Sequence, residues 1–141
     1  MKENILDNLK AKFPYHTPAL LSSFIYLLIS FGLYDKDKLA FAFLCLVFIT
    51  SLFYHSHPDN IFFRVGDWIA SLGLVIYIIN IVYIYKYSFN ILFVLAFFCI
   101  VFWIISEIAY YNKFNKIFNV SHTLWHILSA FAIFMIIFSV N

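Results

Sequence analysis

Charge is scarce in this 141-residue chain: Asp, Glu, Lys and Arg supply 11% of it, against roughly a quarter in soluble domains. With 65% hydrophobic residues and a mean hydropathy of +0.93, that shortage excludes a soluble single domain and points to an integral membrane protein. Glycine is nearly absent, at three residues, and alanine is sparse, so the surface suits lipid rather than close small-residue helix packing. Proline is as rare. Pro14 and Pro18 fall where a helix would begin and Pro58 just past a helix end, so no span is expected to be kinked. Cys45 and Cys99 lie singly in apolar runs and read as packing residues rather than a disulfide or a metal pair. A net charge of +2 is too small and dispersed to imply a nucleic-acid partner.

What is abundant is apolar sequence in long runs, with 19 Phe and 10 Tyr. A hydrocarbon core about 30 Å thick takes roughly 20 residues of helix. On that length the chain divides into five spans, at about 18–34, 38–56, 62–85, 88–110 and 119–140, joined by the short connections YDKDK, HPDN, KYS and YNKFNKIF. Apolar residues do not alternate with polar ones, as a barrel facing lipid and water requires, so strands are excluded. The expected fold is all-α: one polytopic transmembrane helix bundle of about five spans, with residues 1–141 as a single domain. The first span is followed by FGLYDKDK, which has no small-residue cleavage site, and is expected to be retained.

Lys and Arg sort unevenly between the two ends of these spans. Lys2, Lys10, Lys12, Arg64, Lys113 and Lys116 fall on one side, and Lys36, Lys38 and Lys86 on the other. The excess places the amino terminus in the cytoplasm, and an odd number of spans sends the carboxyl terminus outside.

Ionisable residues at membrane depth cost about 2.5–3.5 kcal/mol each on insertion scales, so each asks for a function and a partner. In SLFYH, Ser51 and His55 stand at i and i+4 on one face of the second span. RVGDW puts Asp67 near the start of the third span, and HTLWH puts His122 and His126 one turn apart near the start of the fifth. With spans alternating in direction, His55, Asp67 and His122 all fall at cytoplasmic ends, which favours one shared site. Three neutral imidazoles suit zinc, with a fourth position left to water. Zinc lowers the pKa of such a water to about 7 and polarises a carbonyl. Asp67 is then the general base and acid, and Ser51 a donor to the developing oxyanion. Glu107, near the end of the fourth span, is a further candidate or a residue that snorkels to the interface. His57 beside Pro58 reads as solvated, or as a residue supporting the ligands rather than one of them, and His16 before the first span as interfacial. Trp68, Trp103 and Trp125 read as interfacial anchors or packing.

The set Ser51-x3-His55, Asp67 twelve residues later and His122-x3-His126 in the last span resembles the signature of the CREST superfamily of membrane hydrolases. That group includes the alkaline ceramidases, the progestin and adipoQ receptors and bacterial hemolysin III-like proteins. The resemblance implies zinc on His55, His122 and His126, Asp67 holding the water, Ser51 assisting, and a lipid amide or ester from the bilayer as substrate. It also implies a bacterial inner membrane as the location. The family usually has seven spans, so five predict a shallower, more lipid-open groove and self-association as a homo-oligomer to complete its walls. An even number of missing spans keeps His122 on the same side as His55.

Three readings stand at this point: a zinc-dependent lipid hydrolase, a metal-binding receptor or sensor without turnover, and a bis-histidine haem protein between spans two and five.

Overall fold

The computed structural model describes residues 17–84 and 89–140. Lys2, Lys10, Lys12, Lys86, Pro14 and His16 lie outside the described residues. Five helices and no strand occur among those described: α1 Thr17–Leu33, α2 Lys38–Ser56, α3 Ile61–Ile84, α4 Phe89–Tyr111 and α5 Asn115–Val140. Residues 38–56, 61–84, 93–111 and 115–139 are each long and apolar enough to cross a membrane, and α1 is a shorter apolar helix of 17 residues. The chain is a membrane-embedded helix bundle.

Short polar side chains set the helix ends. Asp37 caps α2, its Oδ1 accepting from the backbone N–H of Leu39 at 3.0 Å and of Ala40 at 2.9 Å, which satisfies two of the donors a helix start leaves open. Tyr77 of α3 donates to the other oxygen of Asp37, so the same carboxylate ties α3 to the start of α2. Asn60 accepts from Phe62 N–H at 3.0 Å ahead of α3. Pro58 follows the α2 cap residue His57, whose N–H reaches the carbonyls of Phe53 and Tyr54.

The fourth connection differs from expectation. Rather than an eight-residue loop, only residues 112–114 separate α4 from α5. Phe114 N–H donates to Ala109 C=O at 2.8 Å and Lys113 N–H to Tyr110 C=O at 3.1 Å, with Lys113 in the left-handed region at φ 59°. These two bonds make a Schellman turn, which closes the end of one helix in the space of two residues. The hydropathy of NKFNK hid this, because polar residues in the first turn of a helix lower an average without breaking the helix. The consequence is that Phe118 is a buried helical residue, 2% exposed, and packs on Tyr110 and His122.

α1 packs against α2 and α5, α2 also against α3, and α5 also against α4, while α3 touches α5 lightly. The order across the bundle is therefore α3, α2, α1, α5, α4. Among the described residues α3 and α4 share no packed backbone seam. The apolar core, including Leu33, Leu44, Leu74, Ile133 and Ile137, lies away from the α2–α3 and α4–α5 turns.

Small residues are few, yet they occupy the interfaces. Ala19, Ala40, Ala70, Ala109, Ala130, Ser23, Ser30, Ser51 and Ser106 are all buried. This corrects the expectation that close small-residue packing is unimportant here: composition counts such residues but does not show that they sit where backbones approach. Large apolar side chains such as Leu28, Phe62, Ile79 and Phe93 point outward, as lipid as solvent allows.

Candidate metal centre

His55 is in the last turn of α2, and His122 and His126 sit two to three turns into α5. Short connections at 34–37, 57–60 and 112–114 reverse the chain, and Arg64 near the start of α3 meets Glu107 near the end of α4, so the end of α2, the start of α3, the end of α4 and the start of α5 lie at one end of the bundle. The three histidines meet there at 0%, 2% and 1% exposure, with one ring nitrogen of each within 4.8 Å of the others. Their rings are edge-on to one another, with centroids 4.7 Å apart for His55 and His122, 4.6 Å for His122 and His126, and 5.5 Å for His55 and His126. Tyr54, Phe118 and Trp125 pack around them.

Two serines bear on the tautomers. Ser22 of α1 stands 2.8 Å from both Ala19 C=O and His126 Nδ1. With the Ser22 proton on the carbonyl, Ser22 accepts from Nδ1–H and Nε2 keeps the lone pair. Ser106 of α4 repeats the arrangement, 2.7 Å from Trp103 C=O and 3.3 Å from His122 Nδ1. Two independent serines, on helices flanking α5, thus each offer a partner to an imidazole Nδ1, and in the Nδ1–H tautomer Nε2 is the nitrogen that can bind a cation. Nitrogens bound at about 2.0–2.1 Å to one ion lie within roughly 4 Å of each other, close to the 4.8 Å limit found here.

No carboxylate belongs to this cluster among the described residues. Asp67 is 2% exposed in the second turn of α3 and accepts from Thr50 of α2 at 3.3 Å. Ser51 is bonded to Ser23 of α1 at 2.9 Å. That bond ties α1 to α2 one turn before His55, and Ser23 also lies 3.1 Å from Ala19 C=O. His57 is exposed beside Phe63, away from the three histidines. Cys45 and Cys99 are free thiols. Trp125, expected as an interfacial anchor or a packing residue, packs edge-on to His122 at 5.0 Å.

Glu107 forms a salt bridge with Arg64, both largely buried, at 14% and 7% side-chain exposure. Arg64 was counted with the second loop for orientation and missed as a partner; α3 begins at Ile61, one residue before the expected start, and holds Arg64 in its first turn. Ser22 and Ser106 were missed as well. Their signal was present in ALLSSFIY and WIISEIAY, polar residues inside apolar runs at the depth of the histidines.

With Arg64 and Glu107 cancelling, the buried charge near this end reduces to the Asp67 carboxyl and three imidazoles. That balance suits a divalent cation. No family model matches the chain, and neither a curated protein nor a solved structure is detectably similar to it.

Proposed function

We propose that this protein is a zinc-dependent membrane hydrolase of a lipid amide or ester, a five-helix form of the CREST pattern. The observation that carries the reading is the cluster itself: one ring nitrogen each of His55, His122 and His126 lies within 4.8 Å of the others, with Ser22 and Ser106 beside the Nδ1 atoms of His126 and His122. Those three residues would hold the ion. A zinc ion there supplies Lewis acidity toward a carbonyl and lowers the pKa of a water to about 7.

The chain does the rest. Asp67 takes a proton from the attacking water and returns it to the leaving amine or alkoxide as the acyl bond breaks, releasing a fatty acid. Thr50 orients its carboxyl. Ser51, bonded to Ser23, steadies the α1–α2 contact one turn before His55. Tyr54, Phe118 and Trp125 exclude bulk water from the histidines. The acyl chain approaches from the bilayer between α3 and α4, where no helix seam closes the bundle. His55, His122, His126 and Asp67 come from one chain, and self-association is part of the proposal for enclosing a long substrate. Arg64 is neutralised by Glu107, so the lysines alone orient the protein: Lys2, Lys10, Lys12, Lys113 and Lys116 against Lys36, Lys38 and Lys86. That majority favours a cytoplasmic amino terminus in a bacterial inner membrane.

A three-histidine set without a carboxylate is an open site, which favours turnover over a closed structural or sensory metal. Imidazoles in edge-to-face contact leave no plane between them for a macrocycle, which weighs against the bis-histidine haem reading. The test is fatty-acid release from a panel of ceramides, acyl amides and esters by the purified, zinc-loaded protein. Release is expected for at least one lipid and is lost on chelation. No release from any lipid overturns the hydrolase and leaves a metal-binding receptor.

Ser22→Ala and Ser106→Ala should each weaken zinc affinity about 10–100-fold, measured by competition with a chelating dye. Helical content should be unchanged. Unaltered affinity in both variants would remove the tautomer argument.

A further inference from the structure

The Arg64–Glu107 pair lies outside the histidine cluster and is not needed to hold a metal. A buried ion pair is expensive unless every donor and acceptor is used, and packed apolar residues are often as stable. This pair is not fully used: Arg64 Nε is buried and has no hydrogen-bond acceptor. The guanidinium instead lies against three rings, 4.3 Å from the centroid of Tyr110 and 4.9 Å from those of Trp68 and Tyr111. One carboxylate on one terminal nitrogen leaves most of a five-donor planar fork available.

Its position gives it a task. Arg64 is on α3 and Glu107 on α4, which share no packed backbone seam among the described residues, so this pair bridges those two helices at the end where the histidines sit. Tyr110, under the guanidinium, contacts Phe118, which contacts His122. Ser106, next to Glu107, is the His122 partner. Asp67 is three residues from Arg64 on the same helix face. A group bound at Arg64 therefore stands beside the proposed reaction site.

We propose that Arg64 is the headgroup subsite of this protein: it binds an oxyanion, phosphate or carboxylate, on a lipid entering between α3 and α4. Glu107 is the resident anion that the ligand displaces. The oxyanion fits the planar fork in a bidentate manner, its charge replaces that of Glu107, and the ring walls accept the first carbons of the chain. This deepens the proposed function by naming its substrate class as anionic lipids, and it rests on that reading only for what happens after binding.

The test reads binding without turnover. The full chain, with Trp103→Phe and Trp125→Phe so that Trp68 is the only tryptophan, is reconstituted in phosphatidylcholine nanodiscs. Quenching of Trp68 is titrated with three lipids brominated on the acyl chain: phosphatidic acid, stearate and phosphatidylcholine. At least one anionic probe should half-saturate at a mole fraction fivefold or more below phosphatidylcholine, and the stronger of the two identifies phosphate or carboxylate as the ligand. Arg64→Gln should erase the preference. Glu107→Gln, which keeps the arginine and removes its competitor, should sharpen it about tenfold. Equal quenching by all three lipids overturns the proposal, as does a preference that survives Arg64→Gln. Should Arg64→Gln fail to fold, Glu107→Gln decides alone, and an unchanged or weaker preference there is equally fatal. Anionic selectivity in a protein that releases no fatty acid would leave this subsite standing and remove the hydrolase, and the converse result would do the opposite.

Discussion

His126→Ala should lower bound zinc in the purified protein from about one ion per chain to near background. Zinc sites in small proteins are worth about 10–16 kcal/mol. Shared among four ligands, the loss of one weakens binding on the order of 10²- to 10³-fold. The imidazole is 1% exposed and has Ser22 on one nitrogen, so truncation also leaves a small buried void beside an unused hydroxyl. For that reason zinc should be measured by mass spectrometry of protein that retains its helical circular dichroism. His55→Ala is expected to behave alike from a different helix. A zinc content unchanged in both variants, or a Soret band in the wild-type protein, would sink the three-histidine zinc site.

The second large effect separates chemistry from metal binding. Asp67→Asn should keep zinc at the wild-type level and lower fatty-acid release by about 10²- to 10⁴-fold, the usual contribution of a general acid–base group. Asparagine retains an oxygen to accept from Thr50 Oγ1, which now reaches Asp67 at 3.3 Å, so the side chain stays oriented while losing its ability to take a proton. Asp67→Ala should show the same loss of release with more effect on stability, since the residue is 2% exposed. Release equal to wild type in both variants would remove Asp67 from the mechanism. Zinc lost together with activity would make it a ligand instead.

How much of this was legible beforehand varies by residue. The four spans after the first were readable to within one or two residues at most boundaries, because length and hydropathy are enough when the bilayer supplies the solvent. The start of α5 was not. It depends on Lys113 taking a left-handed conformation, and a lysine carries no signal for that as a glycine would. His55, His122 and His126 were singled out by cost, since an imidazole in an apolar run needs a reason to be there. Cost could not say which nitrogen each would present. For His126 and His122 that depends on Ser22 and Ser106, which stand at their Nδ1 atoms.

Glu107 shows the same division. Its presence in WIISEIAY marked it as costly, but its partner lies 43 residues earlier, on a helix that does not pack against its own.

The sequence by itself determined that this chain is an α-helical membrane bundle and that three histidines, Asp67 and Ser51 fall at one depth. Both conclusions follow from one-dimensional quantities, the length of apolar runs and the parity of reversals. Only the tertiary structure decided which side chains meet: that the histidines converge without a carboxylate, that two serines orient two of them, that Ser51 faces Ser23, and that Arg64 pairs with Glu107 across an open seam. Those outcomes depend on the rotation of each helix about its axis and on which helices adjoin. Both are set by where small residues let backbones approach, a property of pairs of helices that no single segment displays.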